Sequence, residues 1–189
     1  MILERKRTKE ENAVVLDFLP NGYSFDTTPL HKKTSIVQAV GKEHFVLLEL
    51  VPKKGEFLRP YEEVYIGEGK RDKIHYIIGK LPVERLTSTA RSELEFIIKE
   101  LVEKNNQRFV DFFNTARPLT TRMHQIELLP GVGKKHMWQI LEERERAPFK
   151  DFEDIKKRVN LMPDPQKTII KRIMQELLGK EKHRLFVDA

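Results

Sequence analysis

The sequence predicts an α+β protein in which a strand-rich region, residues 1–83, precedes an all-helical region, residues 84–189. Up to about Pro82, short apolar and β-branched runs alternate with glycine and proline turn signals, which is typical of strands. Beyond Pro82, apolar residues recur three and four positions apart, which is the helical period. A chain of 189 residues with 39% hydrophobic residues can form one large or two small packed domains.

Five strands are expected in the N-terminal region. The first apolar run ends at the turn signal Pro20, Asn21 and Gly22, and the residue pair 41–42 separates the next two runs as in a hairpin. The glycines of 67–70 join the last two strands. This number of short strands favours a small OB-like barrel. The expected strands are 13–19, 35–40, 43–51, 61–67 and 73–79.

Helices are expected throughout the C-terminal region. Ser92 opens a capping-box pattern and should begin the first helix, because apolar residues follow it at helical spacing. A second, phenylalanine-rich helix should end before Pro118. Asp164 followed by Pro165 is typical of an N-cap and first helical residue, and Gly179 should close this last helix. The helices expected between these are 121–128, 134–146 and 149–159.

Composition limits the classes of function. The chain has no cysteine, which excludes disulfides, iron–sulfur clusters and thiol catalysis, and fits a cytoplasmic location. A net charge of +6 fits a polyanionic partner. No run of about eighteen apolar residues is present, so no membrane partner is expected. Residues 1–7 are too charged for the core of a signal peptide.

The Leu-Pro-Gly-Val-Gly-Lys-Lys stretch at 129–135 carries the strongest functional signal. Its two glycines allow the backbone angles of a tight link between helices, and the valine between them can point inward. The amides at the start of the following helix are then unpaired at a positive helix end, which favours a phosphate group. The predicted phosphate-binding residues are Gly131, Val132, Gly133, Lys134 and Lys135.

This stretch, with Met137, Ile140 and Leu141 after it, resembles the helix-hairpin-helix family. The resemblance implies backbone contacts to phosphates of DNA or RNA without reading of sequence, beside a monovalent cation; no other cofactor is expected. Residues 149–159 resemble the first helix of a second copy, whose glycines are replaced at 160–165 by a segment with two prolines. Proline has no N–H to donate, so this copy is expected to pack rather than to bind phosphate.

The whole chain also resembles an archaeal family whose members are usually described as nucleic-acid- or nucleotide-binding. The residues that carry this resemblance lie in four segments, 15–20, 61–67, 71–76 and 108–114. That description depends largely on the same hairpin, so it adds little independent support for a nucleic-acid partner.

Secondary contacts are conceivable on both halves. Aromatic residues among basic ones on a small barrel can stack bases, although half-buried strand tyrosines explain the same pattern. The basic run 156–158 is usually solvated charge, unless its helix faces the same groove as the hairpin. The candidates are Tyr61, Tyr65, Arg71, Tyr76, Lys156, Lys157 and Arg158.

Three functions remain open from the sequence. A non-catalytic, sequence-tolerant nucleic-acid-binding protein is favoured by the hairpin and the charge. A protein–protein docking module in a nucleoprotein complex is the alternative. A glycosylase or nuclease is the third, because Asp154 lies about as far after the hairpin as a catalytic aspartate does in base-excision glycosylases, although acidic residues in a first helical turn explain it well. Trp138 is expected in the core.

Overall fold

A computed structural model describes residues 9–179 and 181–188, so the charged segment 1–7 lies outside the described residues. The chain divides into two compact units. The first contains the residues up to Ile97 together with those from Phe186, and the second runs from Ile98 to Leu185. The division therefore falls inside a helix, whereas the sequence suggested 83/84. None of the described helices is long and apolar enough to cross a membrane.

The first unit contains a curled, antiparallel five-stranded sheet with the strand order β4-β1-β2-β3-β5. Each of the five strands overlaps its predicted range, although β3 begins four residues later and β4 is shorter than predicted. The expected closure into a barrel is not formed, because β4 and β5 are edge strands and each pairs with a single neighbour. A β4 of three residues offers little length for closure. The strands are β1 (Asn12–Leu19), β2 (Ile36–Gly41), β3 (Leu47–Pro52), β4 (Glu63–Tyr65) and β5 (Ile74–Lys80).

The third strand begins later than expected because the residues before it bind a buried carboxylate. The Glu10 side chain accepts hydrogen bonds from the amides of Glu43 (2.9 Å) and His44 (2.8 Å). It fills the space beside Gly41, where a Cβ would lie 1.9 Å from a carboxylate oxygen. The sheet covers an apolar core that contains Val15, Val37, Ala39, Leu48, Leu50, Leu58, Val64, Ile66 and Ile74.

Five α-helices follow the sheet in the described chain. The first begins earlier than the capping-box pattern predicts. Thr87 accepts a hydrogen bond from the amide of Ala90 (3.0 Å) and caps the helix, whereas Ser92 lies inside it and donates to the Ser88 carbonyl. The helices are α1 (Ser88–Lys104), α2 (Asn106–Thr115), α3 (Lys134–Arg146), α4 (Phe152–Arg158) and α5 (Pro165–Leu178).

The prediction of a helix at 121–128 is wrong. Two short strands, β6 (Pro118–Thr120) and β7 (Met123–His124), form a small hairpin there, and a single 3-10 turn follows at Gln125–Leu128. His124 caps that turn, because its Nδ1 accepts from the amide of Ile126 (3.2 Å) while the Glu127 carboxylate accepts from the amide of His124 (2.8 Å). Reciprocal capping therefore starts the helical turn at Gln125, and the chain enters the glycine-containing stretch directly after it.

Candidate nucleic-acid interface

The link between the 3-10 turn and α3, residues 129–133, is here named the first turn. The amide of Val132 donates to the Leu129 carbonyl (3.1 Å), and Gly131 has a φ of +80°. Proline followed by glycine at the two central positions is the residue pair that a type II turn requires. A Cβ on Gly131 would lie 3.1 Å from the Pro163 side chain. Glycine is therefore required here both by the backbone angle and by the close approach of Pro163.

The start of α3 presents unused hydrogen-bond donors. Gly133 is the N-cap residue, with extended backbone angles and no side chain to accept a hydrogen bond. Within the described chain, the amides of Gly133, Lys134 and Lys135 have no protein acceptor, and the next bond runs from Met137 to the Gly133 carbonyl (3.0 Å). Both lysines are exposed. Free amides, the positive end of the helix dipole and two ammonium groups together favour an anionic oxygen.

Buried apolar side chains and one buried ion pair hold the first turn in place. Leu129 and Val132 are buried, as are Met137 and Ile140 of α3. Arg172 of α5 donates from Nη1 to the Leu128 carbonyl (3.1 Å), immediately before the turn, and from Nε to Glu176 (2.7 Å). The Arg172 and Glu176 side chains are 5% and 0% exposed. Arg172 is therefore a positioning residue that the sequence did not reveal, because its partners come from distant parts of the chain.

The corresponding link between α4 and α5, residues 159–163, is here named the second turn. Leu161 has a φ of +57° and a side chain that is 90% exposed. Asp164 follows it and caps α5, because its carboxylate accepts from the amide of Lys167 (3.0 Å). Burial opposes the charge on Asp164, but hydrogen bonds from Lys156 and from Lys167 hold its pKa below the ordinary value. A protein carboxylate thus occupies the helix end where the first turn leaves the amides free.

The basic run 156–158 is mostly engaged within the protein. Lys156 pairs with Asp164 (2.8 Å) and Glu153 (2.9 Å). Arg158 pairs with Glu143 of α3 (3.1 Å) and lies 4.5 Å from the centroid of the Phe149 ring. These contacts give both side chains a structural role. Lys157 is exposed and forms no ion pair with the residues that the structure describes.

Asp154, the candidate catalytic residue of the glycosylase hypothesis, is part of the start of α4. Its carboxylate accepts from the amide of Lys150 (3.1 Å) and pairs with Arg158 (3.2 Å). Desolvation raises its pKa, but these two bonds outweigh that effect and hold the pKa below the ordinary value. The side chain therefore joins the segment before α4 to the end of that helix. No three His, Asp or Glu side chains in the described ranges are placed to hold a metal ion.

The four candidates in the first unit do not form one platform. The Tyr65 hydroxyl accepts from the amide of Gly69 (3.0 Å), and Arg71 donates to the Gly67 carbonyl (2.9 Å), so both hold the 67–71 loop. Tyr61 has a positive φ of 69° and its hydroxyl donates to Glu93. Tyr76 is exposed on the edge strand β5 and is the one of the four available for stacking.

Trp138 is the site residue that the sequence analysis misplaced. Expected in the core, it is 65% exposed on α3. The buried side chains of the same helix are Met137 and Ile140, and Trp138 lies beside that apolar stripe. A sequence signal for this exposure exists, because Lys134, Trp138 and Glu142 are spaced by four and share one helix face.

Comparisons with known proteins place the whole chain in one group. A family model described as "Protein of unknown function (DUF655)" matches residues 9–188. An uncharacterized protein from Methanocaldococcus jannaschii is 44% identical over 187 residues, which cover 97% of this chain and 83% of that protein. The crystal structure of Af1531 from Archaeoglobus fulgidus, assigned to the same family model, is 44% identical and has a TM-score of 0.85. That match covers 95% of this chain and 100% of Af1531.

Proposed function

The chain belongs to the DUF655 family, and we propose that it binds nucleic acid, DNA or RNA, without catalysing a reaction. In this proposal, the first turn and the start of α3 act as the hairpin of a helix-hairpin-helix element and hold backbone phosphates. The observation that carries the proposal is the set of unpaired amides at Gly133, Lys134 and Lys135, beside two exposed ammonium groups. Contacts of this kind fix a nucleic acid without reading its sequence.

The charge of the protein supports a polyanionic ligand. The net charge is +6 and the sequence pI is about 9.4. Each lysine that neutralises a phosphate releases counterions, so the logarithm of the affinity should fall linearly with that of the salt concentration. We therefore expect the affinity to fall as salt is added, with a slope set by the number of lysine–phosphate contacts.

The decisive variant is Gly133→Asp, which would cap α3 as Asp164 caps α5. Gly133 has N-cap backbone angles, and a Cβ there would meet nothing within 4 Å. The added carboxylate should accept hydrogen bonds from the free amides and repel phosphate, while stabilising the fold by a few tenths of a kcal/mol, as expected for Asp in place of Gly at an N-cap. We expect an affinity at least about tenfold lower. Because the variant should remain folded, loss of binding would report on the site itself.

Fluorescence anisotropy of labelled duplex DNA, single-stranded DNA and stem-loop RNA across a salt series measures this effect. Asn160→Asp is the matched control, because it adds the same charge at an exposed position on the second turn that is not the N-cap of α3. Unchanged binding by folded Gly133→Asp would show that the site is wrong. Absence of wild-type binding to all three ligands at low salt would contradict the function.

Docking to a protein partner is the second candidate, favoured by the 90% exposure of Leu161 on the second turn. The left-handed backbone conformation costs free energy at a leucine, and such strain is found mostly at functional sites. An exposed leucine in this conformation therefore favours a contact with a partner. This function predicts no affinity for nucleic acid and a stable complex with a protein partner. Leu161→Asp should abolish that complex, whereas Gly133→Asp should leave it intact.

A further inference from the structure

Trp138 is the chain's single tryptophan, and its ring is exposed beside the proposed phosphate site. Within the part of the chain that the structure describes, the ring meets no other aromatic ring and no cation. Single exposed apolar residues are common on protein surfaces. The position of Trp138, rather than its exposure alone, is therefore what carries the inference.

Helix geometry directs the indole towards the first turn. Trp138 is the fifth residue of α3, so its Cα lies about 7.5 Å along the helix axis from Gly133. Side chains on a helix lean towards its N-terminus and cover the preceding turn. Trp138 therefore follows Lys134 by one turn on the same helix face, and a side chain at this position is expected to lean towards the helix end that carries the free amides.

Charge along the same helix face limits where a polyanion can lie. Lys134 precedes Trp138 by one turn, and Glu142 follows it by one turn and pairs with Arg146 (2.5 Å). The charge of Lys134 thus attracts a nucleic acid on the N-terminal side of the ring, whereas Glu142 provides no attraction on the C-terminal side. The indole lies at the boundary, where a base attached to the bound phosphate would reach it.

We propose that Trp138 stacks on an unpaired base of the strand whose phosphate is held at the start of α3. This inference rests on the proposed function and names its substrate class, single-stranded nucleic acid or an unpaired segment within a folded one. Bases inside a continuous duplex already stack on their neighbours and offer no free face without being opened. Stacking on an aromatic side chain tolerates any base, which suits a site without sequence readout.

The experiment uses the intact chain and its own tryptophan as the reporter. Labelled oligothymidylate, oligouridylate and a blunt duplex are titrated at low salt, and anisotropy is recorded together with tryptophan emission. We expect both single strands to quench the emission as they bind, and the duplex to bind more weakly with little quenching. The two single strands distinguish DNA from RNA as the source of the base.

Substitution of the ring separates stacking from phosphate binding. Trp138→Ala should lower single-strand affinity about tenfold and change duplex affinity less than about twofold, whereas Trp138→Phe should keep most of the single-strand affinity. Phe96→Ala is the matched control, because Phe96 is another exposed aromatic residue on a helix, 61% exposed on α1.

The two levels of the proposal fail differently. Single strands that bind without quenching, and equally well to Trp138→Ala, would overturn the stacking role and leave phosphate binding in place. A preference for duplex with unchanged emission would do the same. If neither anisotropy nor emission responds to any ligand, the proposed function and this inference both fall.

Discussion

The first and second turns have related backbones and opposite chemistry. Each follows a short helical element, has a residue with positive φ at its centre, Gly131 (+80°) or Leu161 (+57°), and leads into a longer helix. At the first turn, the helix begins with free amides and two exposed lysines. At the second, Asp164 fills the helix end and neutralises Lys156.

The difference shows that the residue at the N-cap decides what a helical turn can bind. Glycine leaves the amides of α3 to an external anion, whereas aspartate satisfies those of α5 internally. Pro163 and Pro165 also remove two donors from the second turn, and Pro163 packs beside Gly131. The second turn therefore packs against the first through Pro163, and the proposed phosphate contacts belong to the start of α3.

The largest expected effect comes from replacing Arg172, which donates a hydrogen bond to the carbonyl immediately before the first turn. Arg172→Met would delete the hydrogen bonds to the Leu128 and His183 carbonyls together with the ion pair to the buried Glu176. Loss of one member of a buried pair costs about 3–5 kcal/mol. We expect the free energy of unfolding, measured by urea denaturation, to fall by that amount.

Two further variants test whether the loss comes from the buried charge. Lys171→Ala, at the exposed neighbouring position, should change stability by less than about 0.5 kcal/mol. Arg172→Met combined with Glu176→Leu should recover much of the loss, because both charges of the buried pair are then replaced by apolar side chains. If Arg172→Met alone is as stable as the wild type, the ion pair with Glu176 contributes nothing to stability.

Sequence reasoning located the elements whose signals are local. The five strands, the start of α5 at Asp164 and Pro165, and the glycines of the first turn follow from turn residues, caps and backbone angles. The failures arose where tertiary contacts decide. The segment 121–128 has a helix-compatible pattern, but Met123 and His124 pair with β6, and the capping box of His124 and Glu127 starts a helical turn only at Gln125.

For the candidate site, the sequence predicted the backbone amides but not the surroundings of the side chains. The sequence indicated free amides at 133–135, which depend on local geometry. It did not separate Lys157, which forms no ion pair in the described chain, from Lys156 and Arg158, which pair with Asp164 and with Glu143 of α3. Exposure of Trp138 was missed because an aromatic residue next to an apolar stripe is compatible with either side of the helix.

A smaller effect is expected from uncapping the second turn. Asp164→Ala removes the acceptor for the Lys167 amide and the partner of Lys156, so the free energy of unfolding should fall by about 1 kcal/mol. Nucleic-acid affinity, measured by anisotropy, should stay within about twofold, because Pro165 has no N–H and few donors become free. Asp164→Asn keeps the capping oxygen and should lose less stability. A large gain in affinity on uncapping would contradict the passive role of the second turn.

The smallest expected effect is a pH dependence of stability that distinguishes the first turn from the second. His124, which caps the 3-10 turn before the first turn, is buried, and both burial and the charge of Arg144 lower its pKa below the ordinary 6.5. The unfolded chain then takes up a proton before the folded chain does. The contribution of His124 is thus fully present above about pH 6.5 and is lost as pH falls towards the lower, folded pKa, with a slope of at most about 1.4 kcal/mol per pH unit.

Urea denaturation of the wild type and of His124→Asn, at intervals from about pH 7.5 to about pH 5.5, isolates this contribution. Asparagine also accepts at an N-cap but does not titrate, so the variant should keep the turn and show a shallower loss on acidification. The second turn provides the internal contrast, because its capping Asp164 has a pKa below the ordinary carboxylate value and stays charged across this range. Parallel pH profiles for the two proteins would mean that the protonation of His124 is not coupled to folding, and that the first turn is no more sensitive to acid than the second.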